Sequence, residues 1–441
     1  MIVSTKYPPS RVHLIIVRQN YRQIHFHNFL DTLMPVAKLN LNRYNGVIFL
    51  SDAKMEVYMD YAATTPVDPR VLKAMKPYFN EKYGNTRSLH KQGREAKEAL
   101  EESRNAVTAL MNAEPNETIF MGSATESNNT VLKGIAYANK KKGKHIIVSA
   151  IEHNCVLEPA RWLEKQGYEI TRLPVDNFGL VNLTQLENTI RKDTILVSIM
   201  HANNEIGTIQ DIQKIGKICK EKDVYFHSDA AQTFGKIPID VKKMNLDLLS
   251  FSSHKMYGPK GVGGLYIKKG TKIEPLLHGG GHEFKKRAST VNVAGIVGFA
   301  EAAKIQEKEM ESDAKKQTIL RDKLIKGLLN IDDSHLNGHL TERLPNNASF
   351  WFAYIEGEAL LMQLDIAGVS ASTGSACSSD ALEASHVLRA IGLKPQEAHG
   401  SLRLSLGKYT TVEDVDYVLE VAPKSVEQLR KISPFKKGWK Q

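Results

Sequence analysis

The run Leu249-Ser250-Phe251-Ser252-Ser253-His254-Lys255 leads apolar residues into a turn of small, hydroxylated and glycine residues ending in Gly258-Pro259-Lys260-Gly261. A lysine delivered there suits Schiff-base chemistry with an aldehyde, which needs a rigidly held amine kept partly uncharged, below its ordinary value of about 10.4. Taken by itself, the segment fits a solvated turn lysine equally well. The second residue is Asp229, which closes the apolar run Val224-Tyr225-Phe226-His227-Ser228 and precedes Ala230, Ala231 and Gln232. A strand-end aspartate alone is more often a helix cap or a metal ligand. Paired with Lys255 it matches what pyridoxal phosphate requires, a carboxylate that keeps the ring nitrogen protonated.

The elements that must position these residues follow from the pattern. Short apolar, β-branched runs at 118–121, 146–150 and 195–200 each end in polar residues: Gly122-Ser123-Ala124-Thr125, then His153, then Asn203 and Asn204. They read as buried parallel strands. Helices are expected between them, over 126–139 and over 211–222, where Ile212, Ile215, Ile218 and Cys219 fall at helical spacing. Alternation of this kind predicts a doubly wound α/β domain with ligands beyond the carboxyl ends of the strands, where every polar residue above sits. Ala124 and Thr125 open a helix whose free N–H groups suit a phosphate, with Ser252 and His254 as further donors. Ser and Thr at such a position are more often simple caps.

Several segments together resemble a known family: Asp60-Tyr61-Ala62-Ala63-Thr64-Thr65-Pro66, Gly122 through Asn129, Asn203-Asn204-Glu205-Ile206-Gly207, the lysine segment, His278-Gly279-Gly280-Gly281-His282-Glu283, and Thr373-Gly374-Ser375-Ala376-Cys377-Ser378. In collinear order from Met55 onward they are similar to cysteine desulfurases of the NifS/IscS type. The resemblance implies the fold of the class V aminotransferases, fold type I of the pyridoxal phosphate enzymes. That is a large domain with a mostly parallel sheet plus a smaller C-terminal α+β domain.

The implied division is a basic extension over 1–54, an arm over 55–70 packing on the small domain, a large domain over 71–300 and a small domain over 301–441 carrying the cysteine loop. The long charged helix expected after Gly298 marks the passage between the two domains.

Residue by residue, Lys255 corresponds to the cofactor lysine, Asp229 to the pyridinium partner, and Asn204 with Gln232 to the side chains beside the phenolic oxygen. His153 corresponds to the histidine stacked on the ring and moving protons. Phosphate donors are Ala124, Thr125, Ser252, His254 and Thr290, the last reaching from the other subunit of an obligate homodimer. Arg403, in Ser401-Leu402-Arg403-Leu404-Ser405, corresponds to the substrate carboxylate anchor, assisted by Asn204. It alternates with Leu402 and Leu404, so it is expected to point away from their face.

The implied reaction converts L-cysteine to L-alanine and leaves sulfur as a persulfide on Cys377. The loop around Cys377 holds Ser, Thr, Gly and Ala without a large apolar anchor, so an exposed, ionisable thiol is expected there. The sulfur would serve iron-sulfur cluster assembly through a scaffold or another acceptor protein, or tRNA thiolation, and Cys377 could ligate a cluster transiently through its persulfide. Selenocysteine lyase or another class V aminotransferase activity is the alternative, against which the Gly-Ser-Ala-Cys loop argues. A non-enzymatic scaffold would be expected to have lost Lys255, His153 or Cys377.

Composition adds limits. The chain has 441 residues and no apolar run long enough for a membrane span. Its formal net charge is +10, but the first 54 residues hold seven Lys or Arg against Asp31 and Asp52, so half of that charge lies there and direct nucleic-acid binding is unsupported. That segment lacks a secretory cleavage pattern and reads as an extended start or arm, with a transit peptide as the other reading. Cys155, Cys219 and Cys377 are widely spaced, giving neither a disulfide framework nor a metal pattern. A reducing, cytoplasmic setting is expected. Cys155 and Cys219 read as packing thiols, and His278 and His282 bracket three glycines as a cofactor-side loop. Gly84-Asn85-Thr86-Arg87-Ser88 departs from the family's Gly-Asn-Pro-Ser-Ser and adds a charge near the expected site.

Overall fold

A computed structural model describes residues 41–44, 47–50, 55–373 and 384–434. Near the start, β1 (Leu41–Tyr44) and β2 (Val47–Leu50) pair antiparallel. The next strand, β3 (Val57–Tyr58), belongs to the far end of the molecule. Seven strands then build the main sheet: β4 (Thr118–Met121), β5 (His145–Ser149), β6 (Glu169–Leu173), β7 (Thr194–Ser198), β8 (Tyr225–Asp229), β9 (Leu248–Ser252) and β10 (Gly263–Ile267). Their order is β4-β10-β9-β8-β7-β5-β6. β10 runs antiparallel to both β4 and β9, so the other six share one direction.

The strands are continuous apolar runs because both faces are covered. Phe120, Ile147, Val197, Phe226, Leu249 and Phe251 pack on helices Lys91–Ala109, Ile212–Glu221 and the first half of Val293–Leu328. Ile119, Ile146, Val148, Leu196 and Leu265 pack on helices Ala124–Asn139 and Asn154–Lys165. The helices expected over 126–139 and 211–222 are thus present with ends shifted by a residue or two. β6 and β10 were not read from the sequence. β6 is the sheet edge with a partly solvated pattern, and the Gly263-Gly264 start of β10 lacks strand composition.

A second core gathers around β11 (Ser334–Leu336), β12 (Asn347–Phe352) and β14 (Ser401–Ser405), an antiparallel sheet in the order β11-β12-β14. Ala348, Phe350, Phe352, Leu402 and Leu404 meet helix Val412–Ile432 through Val415, Val418, Ala422 and Val426. Val57 and Met59 join this core, and β3 pairs in parallel with β13 (Val369–Ser370). Helix Val293–Leu328 is rooted in both cores, through Ile296, Phe299 and Ile305 at one end and Leu320, Leu324 and Leu328 at the other. No helix among the described residues is long and apolar enough to cross a membrane.

Candidate active site

The parallel strands end on one side of the sheet, and their exits carry the site. β8 and β9 are neighbours, with Asp229 level with Ser250, so Asp229 and the turn Ser253–Lys255 emerge side by side. Asp229 is 4% exposed. Its Oδ2 accepts from Asn128 Nδ2 at 2.6 Å and from the Cys155 thiol at 3.8 Å, and its Oδ1 from the Ala231 N–H at 2.8 Å. All three donors are neutral. Lys255 Nζ donates to the carbonyl oxygens of Ala62 and, at 2.7 Å, Ala63.

His153 follows β5 and caps helix Asn154–Lys165, its Nδ1 accepting from the Cys155 N–H at 3.1 Å. That bond assigns the proton of the neutral ring to Nε2. Burial, the largest influence, and the nearby Lys255 charge hold the His153 pKa below the ordinary value, although Asp229 opposes them. Burial pushes the Cys155 thiol well up. Cys155 and Cys219 are both buried.

Across the sheet, Ser123 caps helix Ala124–Asn139 by accepting from the Glu126 N–H, and Glu126 in turn accepts from the Gly122 N–H at 2.7 Å. Gly263 pairs with Ser252 and runs under this helix start. A Cβ there would lie 2.9 Å from the Ser123 carbonyl carbon and 3.1 Å from Ala124 N, so only hydrogen fits. His254 meets Thr64 Oγ1 through Nδ1 at 3.1 Å, and burial with the Lys255 charge brings its pKa down to about 4. It is therefore a neutral N–H donor rather than a cation.

Asn204 lies after β7 in a turn held by Asn203 Oδ1, which accepts from the N–H groups of Glu205 and Ile206. Gly207 closes that turn at φ 78°, close against Asn347. The Asn204 carbonyl accepts from Arg403 Nη1 at 3.2 Å. Arg403 points away from Leu402 and Leu404, as expected, and its Nη2 donates to Asp60 Oδ1 at 2.9 Å. Its Nε–H is buried without an acceptor among the described residues.

The segment 60–65 links these parts. Asp60 holds Arg403, Ala62 and Ala63 hold Lys255, Ala62 also accepts from Gln232 Nε2 at 3.0 Å, and Thr65 Oγ1 donates to the His254 carbonyl. The motif at 60–65 is visible in the sequence, but the roles of Asp60 and of Asn128, which lies one helical turn beyond Ala124, emerge only from the fold.

Thr290 is exposed, and among the described residues no hydrogen bond joins its side chain to the others. The loop before it is held by Arg104, which donates to both carboxylate oxygens of buried Glu283 at 2.8 Å. Glu283, Phe284 and Lys285 all take positive φ. Arg87 approaches Gly281 of the same loop. Cys377 lies outside the described residues. On either side of its segment the chain is tied to the site. Ser372 exchanges backbone hydrogen bonds with Arg403, Ser385 Oγ donates to Glu205, and His386 Nε2 meets the Glu152 carbonyl at 2.9 Å.

The family model described as aminotransferase class-V matches residues 57–418. The IscS cysteine desulfurase of Dictyoglomus turgidum is 55% identical over 388 residues, covering 88% of this chain and 98% of that protein. A solved structure titled as a NifS-like protein has a TM-score of 0.81 at 43% identity, covering 85% of this chain and all of that one. Another, SspA in complex with cysteine, has a TM-score of 0.73 at 36% identity, covering 80% and all of the respective chains. The chain belongs to the class-V aminotransferase family and, within it, to the cysteine desulfurases of the NifS/IscS type.

Proposed function

We propose that the site takes sulfur from L-cysteine with pyridoxal phosphate as cofactor, releases L-alanine and retains the sulfur on Cys377. The observation that carries this reading is the emergence of Lys255 and Asp229 from adjacent parallel strands, beside a glycine-lined helix start and a buried arginine. A carboxylate buried among neutral donors suits a protonated ring nitrogen, and the start of helix Ala124–Asn139, fixed by its close crossing over Gly263, offers backbone N–H groups suited to a phosphate. Ala124, Thr125, Ser252 and His254 would hold that phosphate, Asp229 the ring nitrogen, Asn204 and Gln232 the phenolic oxygen, and His153 the ring face.

Pyridoxal phosphate supplies an aldehyde for the substrate amine and an electron-withdrawing ring that makes the neighbouring C–H acidic. Lys255 in its free amine form takes the Cα proton. Arg403 orients the substrate carboxylate, for which its Nε–H is available beside the bond to Asp60. The Cys377 thiolate attacks the substrate sulfur. An S–S bond forms, the Cβ–S bond breaks with its electron pair left on carbon, and a proton delivered to Cβ, together with return of the Lys255-held proton to Cα, completes alanine. His153, with its proton on Nε2 and a depressed pKa, holds that proton on the nitrogen away from its helix.

The acceptor is an iron-sulfur scaffold or another sulfur carrier, and the working form is a cytoplasmic homodimer in which Thr290 serves the partner's site. Exposed Phe284 lies in the loop before Thr290, and exposed Tyr83 and Leu89 flank Arg87, which approaches Gly281 of that loop; these apolar side chains support that pairing. The division at residues 70 and 300 is proposed with it, the long helix serving as the tie.

The test is release of alanine and sulfide from L-cysteine in the presence of a thiol reductant. Wild type should give equimolar products, Cys377→Ala should stay coloured and give no sulfide, and Lys255→Ala should lose the visible absorbance. Colour retained without Lys255, or product made without Cys377, would overturn the assignment.

A further inference from the structure

Lys236 is a lysine that the chemistry above leaves unused. β8 passes into a helical turn in which the Phe234 N–H donates to the Ala230 carbonyl and the Ile237 N–H to Thr233. Gln232 and Lys236 are four residues apart and share one side of it. Gly235, at φ 71°, lets the turn press on Met256, the residue after Lys255; a Cβ there would lie 2.8 Å from Met256 Cε.

Lys236 Nζ donates to Gln232 Oε1 at 3.3 Å, while Gln232 Nε2 donates to the Ala62 carbonyl that also receives Lys255. The two ends of the carboxamide are therefore told apart, with oxygen toward Lys236 and NH2 toward the site. Behind Lys236 lies a narrow cleft that it shares with Tyr61, Thr65, Tyr257, Gln306 and Asp313. Burial, with Lys255 and Arg403 adding repulsion, holds its pKa down to about 7.

We propose that Lys236 is a positioning residue that fixes the orientation of the Gln232 carboxamide, so that its NH2 end and not its oxygen meets the cofactor's phenolic oxygen. The two ends of a primary amide are nearly the same size, so packing alone does not choose between them. A donor at the phenolic oxygen stabilises its anionic form and lowers the pH at which the lysine-bound cofactor loses its proton. An amide oxygen turned toward it does the opposite.

This inference rests on the assignment of Gln232 beside the phenolic oxygen, and the experiment separates the two. The pH midpoint of the visible band is titrated in the loaded wild type, Gln232→Ala, Lys236→Met, Lys236→Gln and the double variant Gln232→Ala/Lys236→Met. Gln232→Ala is expected to raise the midpoint by about one pH unit, the size of a single lost hydrogen bond to a charged group. Lys236→Met should raise it by a similar amount, and the double variant no further than Gln232→Ala. Lys236→Gln keeps a donor without the charge and should titrate near wild type, which also serves should the methionine variant not take up cofactor.

A Lys236→Met midpoint at the wild-type value, with Gln232→Ala shifted, overturns the role of Lys236 and leaves that of Gln232 intact. A Lys236→Gln midpoint matching Gln232→Ala shows that charge alone acts and also overturns the inference. No shift in Gln232→Ala overturns both.

Discussion

Asp60 is the nearest counter-charge to Arg403 in the free protein, and a buried guanidinium needs one. Its removal should cost substrate orientation more than chemistry. Asp60→Asn is expected to raise the KM for L-cysteine about tenfold to a hundredfold with the visible band unchanged, since hydrogen bonds to charged groups contribute about 1.5–3 kcal/mol. Initial rates against cysteine concentration decide it; a KM at or below wild type would mean that Asp60 competes with the substrate carboxylate. Residues ending apolar runs, such as Asp229, Lys255 and Asn204, were legible because a polar side chain there interrupts a pattern. Asp60, Asn128 and Lys236 were not, because their partners are set by tertiary pairing. Asp60 and Arg403 are 343 positions apart. Cys377 was singled out by its motif and lies outside the described residues.

Among the elements, the crossing of β10 under helix Ala124–Asn139 has the least tolerance. A methyl at Gly263 would meet backbone atoms of Phe251 and Ser123 within 3.0 Å, and backbone cannot swing aside as a flexible side chain can. Gly263→Ala should therefore push the helix start outward at an overpacking cost of about 1–3 kcal/mol. The expected result is a folded protein that loses its cofactor at least about tenfold more readily, read by equilibrium dialysis of the colour. Retention equal to wild type would mean that the cradle does not depend on this contact. The alternation of strands and helices was readable because buried parallel strands are apolar throughout. The strand that carries Gly263 was invisible for the opposite reason, since its glycines are selected by the close crossing rather than by strand preference.

At the scale of the whole molecule, acid stability follows from histidines sealed inside. His227 accepts or donates through both ring nitrogens to Ser198 and Ser250 within the sheet, and burial brings its pKa down to about 3; burial brings His201 to about 4. Both values are below the unfolded one of about 6.5. Between these limits the unfolded chain binds more protons, so stability is full above about pH 6.5 and falls as pH drops toward 4, by roughly 1–3 kcal/mol per histidine. Glu205, pushed up to about 7 by burial, works the other way over the same range, so the test is a difference: the loss of melting temperature between pH 7 and 4.5 should shrink in His201→Asn, and an equal loss would contradict this.

The proposed pairing of two chains has its own signature. Co-expressed Lys255→Ala and Thr290→Ala chains should regain activity above either parent, because one site of each mixed dimer would then receive both native residues. Activity no greater than the average of the parents would exclude a shared site.

The helix rooted in both cores also acts on length scales that no single contact reaches. Its 36 residues form a rod of about 54 Å, and a tilt of about 3° at one root would move the other end by about 3 Å. The span between the arginine of one core and the lysine of the other is thus set by an angle. Substitutions at the helix roots, far from any reacting atom, are where the reach of the site for longer or shorter amino acids would be tuned.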